Sequence, residues 1–317
     1  MPGAAAAGGP AVVVECVPNV SEGRDRARID AFASTIRAVP GVTLANVHAD
    51  PDHHRSVITF LGPPDAVEGA ALALAARVLA LVDMRHHRGV HPRVGALDVL
   101  PFTPLVGVTP EQTVALARRV GRALGEHHAL PVYYYGQAAT RPGRETPRRL
   151  RRGEYEGLPA RLASPDGAPD AGPARFDARS GAVLVGARGL LVAFNVWLAT
   201  DDVTIAREIA HAVRESSGGL PAVQAMGVRL ASRAIAQVAM NLLDYRRTSI
   251  PLVFDRVADE ARRRHTRVSR SELVGLAPRA ALAGRAPESV GFEAFTPELY
   301  LDTYLEPRHS PGAPGHG

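Results

Sequence analysis

The sequence predicts an α/β (α+β) chain built as two ferredoxin-like βαββαβ-type subdomains, helices outside and sheets facing across a ligand cleft. Three observations predict it: a β-α-β-β-α order in the first half, the same order in the second, and a stretch without apolar periodicity between them. At 317 residues, 46% hydrophobic and 22% charged, the chain is long enough for about two domains with full cores. Each half leaves one sheet face open, and the other half's sheet is the available cover.

Ala11–Val17 is a short β-branched run that ends at Pro18, and the polar turn Asn19–Gly23 leads into a helical pattern over Arg26–Val39. Val42–Val47 and Ser56–Leu61 read as two strands around a His/Asp-rich turn. Gly62-Pro63-Pro64 then introduces an alanine-rich helix over Asp65–Leu81. Ala96–Leu100 is strand-like. Thr109-Pro110-Glu111 gives an N-cap, a first-turn proline and an acidic residue, so a helix runs from there to about Glu126, before a strand over Val132–Tyr135. Arg141–Gly172 is rich in Arg, Pro and Gly and marks a linker or a long lining loop. The pattern then resumes: a strand over Leu190–Leu198, a helix over Asp202–Ser216, strands over Val223–Leu230 and Ile235–Leu242, and a helix over Pro251–Arg264. We expect subdomains over 12–180 and 181–305, a flexible Gly/Ala/Pro leader over 1–11 and a flexible tail over 306–317.

All 37 basic residues are arginine, and the chain contains no lysine. That excludes a Schiff-base lysine, a pyridoxal-phosphate anchor and a phosphate-loop lysine. The net charge of +5 carries little nucleic-acid signal, because no aromatic-interleaved basic stripe accompanies it. Cys16 is the only cysteine, which excludes an intramolecular disulfide and fits a reducing compartment. No apolar stretch reaches the roughly 18 residues of a membrane span, and Ala4–Ala7 lacks the flanks of a signal peptide. The expectation is a cytoplasmic protein that binds neither membrane nor nucleic acid.

Three loops concentrate polar groups. Asn19–Gly23 has the makings of a helix N-cap. His48-Ala49-Asp50-Pro51-Asp52-His53-His54-Arg55 is far richer in titratable groups than a turn needs, and metal is its sharp alternative. Its crowding nonetheless matches no recognised ligand spacing, so no metal is expected. Arg85–Arg93 begins as a basic helix end capped by Gly89. His91 lies beyond that glycine, is pinned by Pro92, and has an ordinary pKa of about 6.5 that suits proton transfer. Arg148, Arg149, Arg151 and Arg152 read most simply as a solvated helix face.

The stretch Glu15-Cys16-Val17-Pro18-Asn19-Val20-Ser21-Glu22-Gly23 resembles the ECVPNFSEG opening of the formiminotransferase family, and Asp83–Asp98 is similar to that family's DM..H.G.HPR.GALD stretch. Further matches run in order through Arg152–Glu156, Gly172-Pro173, Val185–Arg188, Ala193–Asn195 and Gln237–Asp244, so the resemblance spans roughly 12–284. It implies transfer of a formimidoyl group from N-formimidoylglutamate to tetrahydrofolate, the co-substrate, in a homodimer whose subdomain sheets enclose a folate tunnel. The family's catalytic histidine falls on His91, its opening asparagine on Asn19, and its folate-binding stretch on Gly172–Gly181, including Pro173, Phe176 and Ser180; Asn195 joins the binding set. Arg55 and Arg93 are the expected anchors for substrate carboxylates. Asp98 or His48 is the expected orienting partner of His91. The chain departs from the mammalian branch at His48, where that branch has Asp, and at His54, where it has Asn. It ends soon after the transferase region, so no cyclodeaminase activity is expected. Two other readings remain at this point: a non-catalytic folate or amino-acid binding module, and a metal-dependent formiminoglutamate hydrolase.

Overall fold

The computed structural model describes residues 12–306; the expected leader and all but Glu306 of the expected tail lie outside the described residues. The first strand is split by Val17-Pro18 into β1 (Val13–Cys16) and β2 (Asn19–Val20). Both pieces pair with β4 (Arg55–Gly62) on one side and β5 (Leu97–Val106) on the other. Pro18 has no N–H to give the ladder, but its carbonyl still accepts from Ile58. Outside β4 lies β3 (Thr43–Asp50). The resulting order, β3-β4-β1/β2-β5, is that of a split βαβ sheet.

Two parallel strands extend this sheet beyond β5: β6 (Val132–Gly136) forms the edge, and β7 (Val183–Ala187) inserts between β5 and β6. The first sheet therefore includes Val183–Ala187, a few residues beyond the expected boundary at 180. Helices α1 (Arg26–Arg37), α2 (Pro64–Leu81) and α3 (Pro110–His128) cover one face. Their Phe32, Ile36, Leu74, Val78, Leu116 and Val120 pack with Val14, Cys16, Ile58, Phe60, Leu100 and Phe102 of the strands, all essentially solvent-free. Each such burial contributes about 1.5–3 kcal/mol, so this layer is the main stabiliser of the half. The Arg141–Gly172 stretch is not a bare loop. It carries the short helices α4 (Pro147–Leu150) and α5 (Leu158–Leu162), whose leucines cover Tyr133, Tyr135, Val99 and Leu184 on the other face.

The second sheet has the order β11-β8-β10-β9, entirely antiparallel, from β8 (Val192–Leu198), β9 (Val223–Leu230), β10 (Ile235–Leu242) and β11 (Val268–Val274). Helices α6 (Val203–Val213) and α7 (Ile250–Arg263) pack on one face, against Phe194, Val196, Val238 and Met240. The terminal helix α8 (Asp302–Leu305) lies near the junction of the halves, where Leu61, Leu276 and Leu301 meet. Strand alternation sends Asn195, Trp197, Gln237 and Glu272 to the uncovered face, and that face approaches the first sheet. His48 on β3 lies 3.6 Å from Glu272 on β11, and Asp52 accepts from Ser232 at 2.6 and 2.9 Å. No described helix is long and apolar enough to cross a membrane.

Candidate active site

His91 sits in the irregular segment between α2 and β5, on the rim where the two sheets approach. The Cβ that an alanine would carry at Gly89 has no room against the His53 carbonyl, so this segment lies directly on the turn between β3 and β4. The His91 and His53 rings are 5.8 Å apart, centre to centre. His91 Nδ1 lies 2.7 Å from the Pro92 carbonyl and 2.9 Å from Arg55 Nη1. One nitrogen cannot donate to the first and accept from the second at once. The Pro92 contact favours the tautomer with a free Nε2 lone pair, and the Arg55 contact favours Nε2–H, so each protonation pattern of Nε2 has its own partner. Burial, then the charges of Arg55 and Arg151, hold the His91 imidazolium well below the usual histidine range.

Arg55 is fixed on all sides. Its Nε donates to Asn19 Oδ1 at 2.8 Å, and its Nη1 pairs with Asp98 Oδ2 at 2.8 Å. Asn19 is itself pinned by donating to the Val17 carbonyl at 2.8 Å. Asp98 is wholly buried and also pairs with Arg151 and accepts from the Val94 amide at 2.9 Å. Burial alone would raise the Asp98 carboxyl, yet Arg151 and Arg55 hold it below the usual carboxylate range. Asp98 therefore reaches His91 only through Arg55. His48, the other expected partner, faces Glu272 across the sheets.

Arg93 is buried with its guanidinium taken up by Glu154 at 3.1 Å and Glu156 at 2.7 and 2.8 Å, and its Nε donates to His87 at 3.2 Å. The structure thus spends Arg93 on tying the 153–156 turn to the His91 segment. The Gly172–Gly181 stretch supports the same segment from behind: Ala96 donates to the Ser180 carbonyl, and a Cβ on Gly181 would clash with Val94. Phe176 packs 5.5 Å from Tyr155, and Gly172, at φ +75°, lies against Leu130 and Gly125 beside Pro173. The Ser180 hydroxyl is exposed and donates to Asp177. Asn195, on the second sheet, lies 3.3 Å from Glu272.

Several site residues escaped the sequence reading. Arg151, expected on a solvated face, pairs with Asp98, and its buried Nε–H has no partner among the described residues. His53 Nε2 lies 3.2 Å from Gln237 Oε1, which joins His91's neighbour to the second sheet. Gln237 and Asn195 both lie near Glu272 Oε2. The His/Asp-rich turn disperses its groups. Asp50 takes the Asp52 and His53 amides and Arg233; His54 lies 3.3 Å from Glu22 and stacks on His87 at 4.3 Å. Among the described residues, no three His, Cys, Asp or Glu side chains converge as a metal site would need.

The pattern of the formiminotransferase domain, N-terminal subdomain, matches residues 13–188, and that of the formiminotransferase domain matches 193–287. The chain belongs to the formiminotransferase family. It is similar to the glutamate formimidoyltransferase of Streptococcus pyogenes serotype M1, 40% identical over 285 residues that cover 90% of this chain and 95% of that one. The glutamate formimidoyltransferase of Thermoplasma acidophilum is 39% identical over 93% of this chain and 97% of its own. The formimidoyltransferase-cyclodeaminase of Rattus norvegicus is 42% identical, and there the match covers 86% of this chain and 52% of that longer one.

Proposed function

We propose that this chain is a glutamate formimidoyltransferase that moves the formimidoyl group of N-formimidoylglutamate to N5 of tetrahydrofolate. One observation carries the chemistry: a half-buried histidine, kept neutral by desolvation and then by two guanidiniums, at the rim where two polar sheet faces approach. Full-length similarity to two formimidoyltransferases supports the reaction class.

N5 attacks the formimidoyl carbon, the C–N bond to glutamate breaks, and the N5 proton leaves while the glutamate nitrogen gains one. Neutral His91 takes the first proton on Nε2 and returns it to the departing nitrogen. The transient imidazolium keeps the Pro92 carbonyl as acceptor for Nδ1–H. General acid/base assistance of this kind is worth about 10² to 10⁴ in rate. Arg55 is held by Asn19 and Asp98, and Arg151 pairs with Asp98 while its Nε–H has no partner among the described residues, so these two guanidiniums are the cations beside His91 to which a substrate carboxylate would be drawn. Asn19 and Asp98 hold the two arginines. Gln237, Glu272 and Asn195 offer the amidine nitrogens acceptors from the second sheet. Gly172–Gly181 would serve folate by shaping the segment that carries His91. The reading uses no metal, and it keeps the expectation of a cytoplasmic homodimer.

Single-turnover conversion of formiminoglutamate, with and without tetrahydrofolate, tests this. Release of glutamate should require folate and fall at least about 10²-fold in His91→Ala. Release without folate would sink the transferase reading in favour of a hydrolase, and folate binding without release would favour a binding module.

A further inference from the structure

Glu15 is the residue that neither the fold nor the transfer chemistry explains. Its neighbours Val14 and Cys16 face the helix layer, so alternation turns Glu15 to the face that meets the second sheet. It is 3% exposed, yet among the described residues its carboxyl has no hydrogen bond and no ion pair. Arg188 is the cation that acts on it, from beyond ion-pair distance, and burial outweighs that attraction and pushes the carboxyl up to about 7. The Thr103 side chain stands directly opposite on β5, and Thr59 lies one strand away on β4; both are essentially solvent-free, and neither hydroxyl has a partner among the described residues. A buried polar group left unpaired is costly, so two unpartnered hydroxyls beside a desolvated carboxyl require an explanation.

Gly275, just past the end of β11, lies over Thr59, where a Cβ would come within 3.1 Å of the hydroxyl. Leu61 of β4, which pairs with Glu15, packs there with Leu276 and Leu301. Glu15 stands four residues along the strand from Asn19, which holds Arg55 beside His91; that is roughly 13 Å. A pterin lying between them would present N5 to His91 and its far edge to Glu15.

We propose that Glu15, Thr103 and Thr59 form a subsite for the aminopyrimidinone edge of the pterin, with the carboxylate accepting from N3–H and the 2-amino group. Two adjacent in-plane N–H donors match the two oxygens of a carboxylate, as a guanidinium does. The two hydroxyls, able to donate or accept, serve the neighbouring oxo group and ring nitrogen. This assignment rests on the transferase reading and adds to it the residue that selects the acceptor.

The test uses the full chain and two ligands, tetrahydrofolate and its 2-desamino-2-methyl analogue. In Glu15→Gln, which keeps the volume, the KM for tetrahydrofolate should rise about 10- to 100-fold, as loss of a charged hydrogen-bond pair predicts, with the KM for formiminoglutamate unchanged. Wild type should bind the analogue more weakly than tetrahydrofolate, and the variant should not distinguish them. Equal effects on both KM values, or discrimination that survives in the variant, would overturn the subsite. If Glu15→Gln does not fold, Thr103→Val decides: a rise confined to tetrahydrofolate supports it, and an unchanged value overturns it. Wild-type protein that transfers nothing at all would instead overturn the reading beneath.

Discussion

At the scale of single residues, the site is governed by a charge balance around His91. Two guanidiniums and one carboxylate lie together in a region almost without water, and the carboxylate is the least replaceable of them. In Asp98→Asn, Arg55 and Arg151 would lose their shared counter-charge while staying buried. Breaking such a pair from one side costs about 3–5 kcal/mol, which urea denaturation would read. The same change should depress the His91 imidazolium further, because the charges that already hold it down become uncompensated. The acidic limb of the kcat profile, expected below pH 6.5 in wild type, should therefore move to lower pH. His91 stands out in the sequence as a candidate because a proline and a glycine isolate it from the basic helix end, and the structure sets it beside Arg55 and His53. Arg151 was not, since four arginines in one short stretch look alike until the fold shows which one reaches Asp98.

At the scale of elements, legibility followed periodicity. Helix α3 announced itself through Thr109, and the structure contains the full capping box with Gln112. Strands β9 and β10 were read to the residue because each is an unbroken run between turn signals. Strand β7 was missed as a member of the first sheet, since its pairing between β5 and β6 depends on a crossover that leaves no local trace. Strand β11, Val-Ser-Arg-Ser-Glu-Leu-Val, is an edge strand with a polar inner row, so its composition hides it. Two substitutions separate an element's stability from its role in the site. Thr109→Ala removes a cap far from His91 and should cost about 1 kcal/mol with kcat unchanged. Gly23→Ala puts a Cβ against the Asp50 carbonyl and 2.5 Å from the Arg55 amide, backbone atoms that no rotamer can move aside. It should cost about 1–3 kcal/mol and also lower kcat, because Arg55 is the strand residue that must shift. Denaturation midpoints and steady-state rates on the two variants check the contrast.

At the scale of the whole molecule, the two sheets share one polar interior, and its titrations set how stability responds to pH. The sequence showed two halves and an ordinary count of histidines. It could not show that three of them are held neutral, since burial and neighbouring cations come from contacts across loops and sheets. Burial holds His87 down to about 4, with the His54 backbone accepting from its ring, and His53 and His91 are lowered mainly by burial as well. An unfolded chain takes protons on these rings near pH 6.5, and the folded protein does not. The unfolded state therefore binds more protons in that window, and stability must rise with pH between about 4 and 6.5. His87 alone accounts for something on the order of 3 kcal/mol. Glu15 opposes this: its carboxyl, raised from 4.5 to about 7, gives stability that is present below 4.5 and lost as pH approaches 7. Glu22, held at about 2 by His54 and the Arg24 and Asp25 amides against the effect of burial, adds a loss only below about pH 4.5. Three lowered histidines against one raised carboxyl leave a net gain, so the thermal midpoint should climb from pH 5 to pH 7. Glu15→Gln removes the opposing group and should steepen that climb, while His87→Asn should make it shallower. A midpoint that is flat or falling in wild type would mean that the histidine cluster takes up protons in the folded state, and with it the neutral His91 that the proposed transfer mechanism requires would be lost.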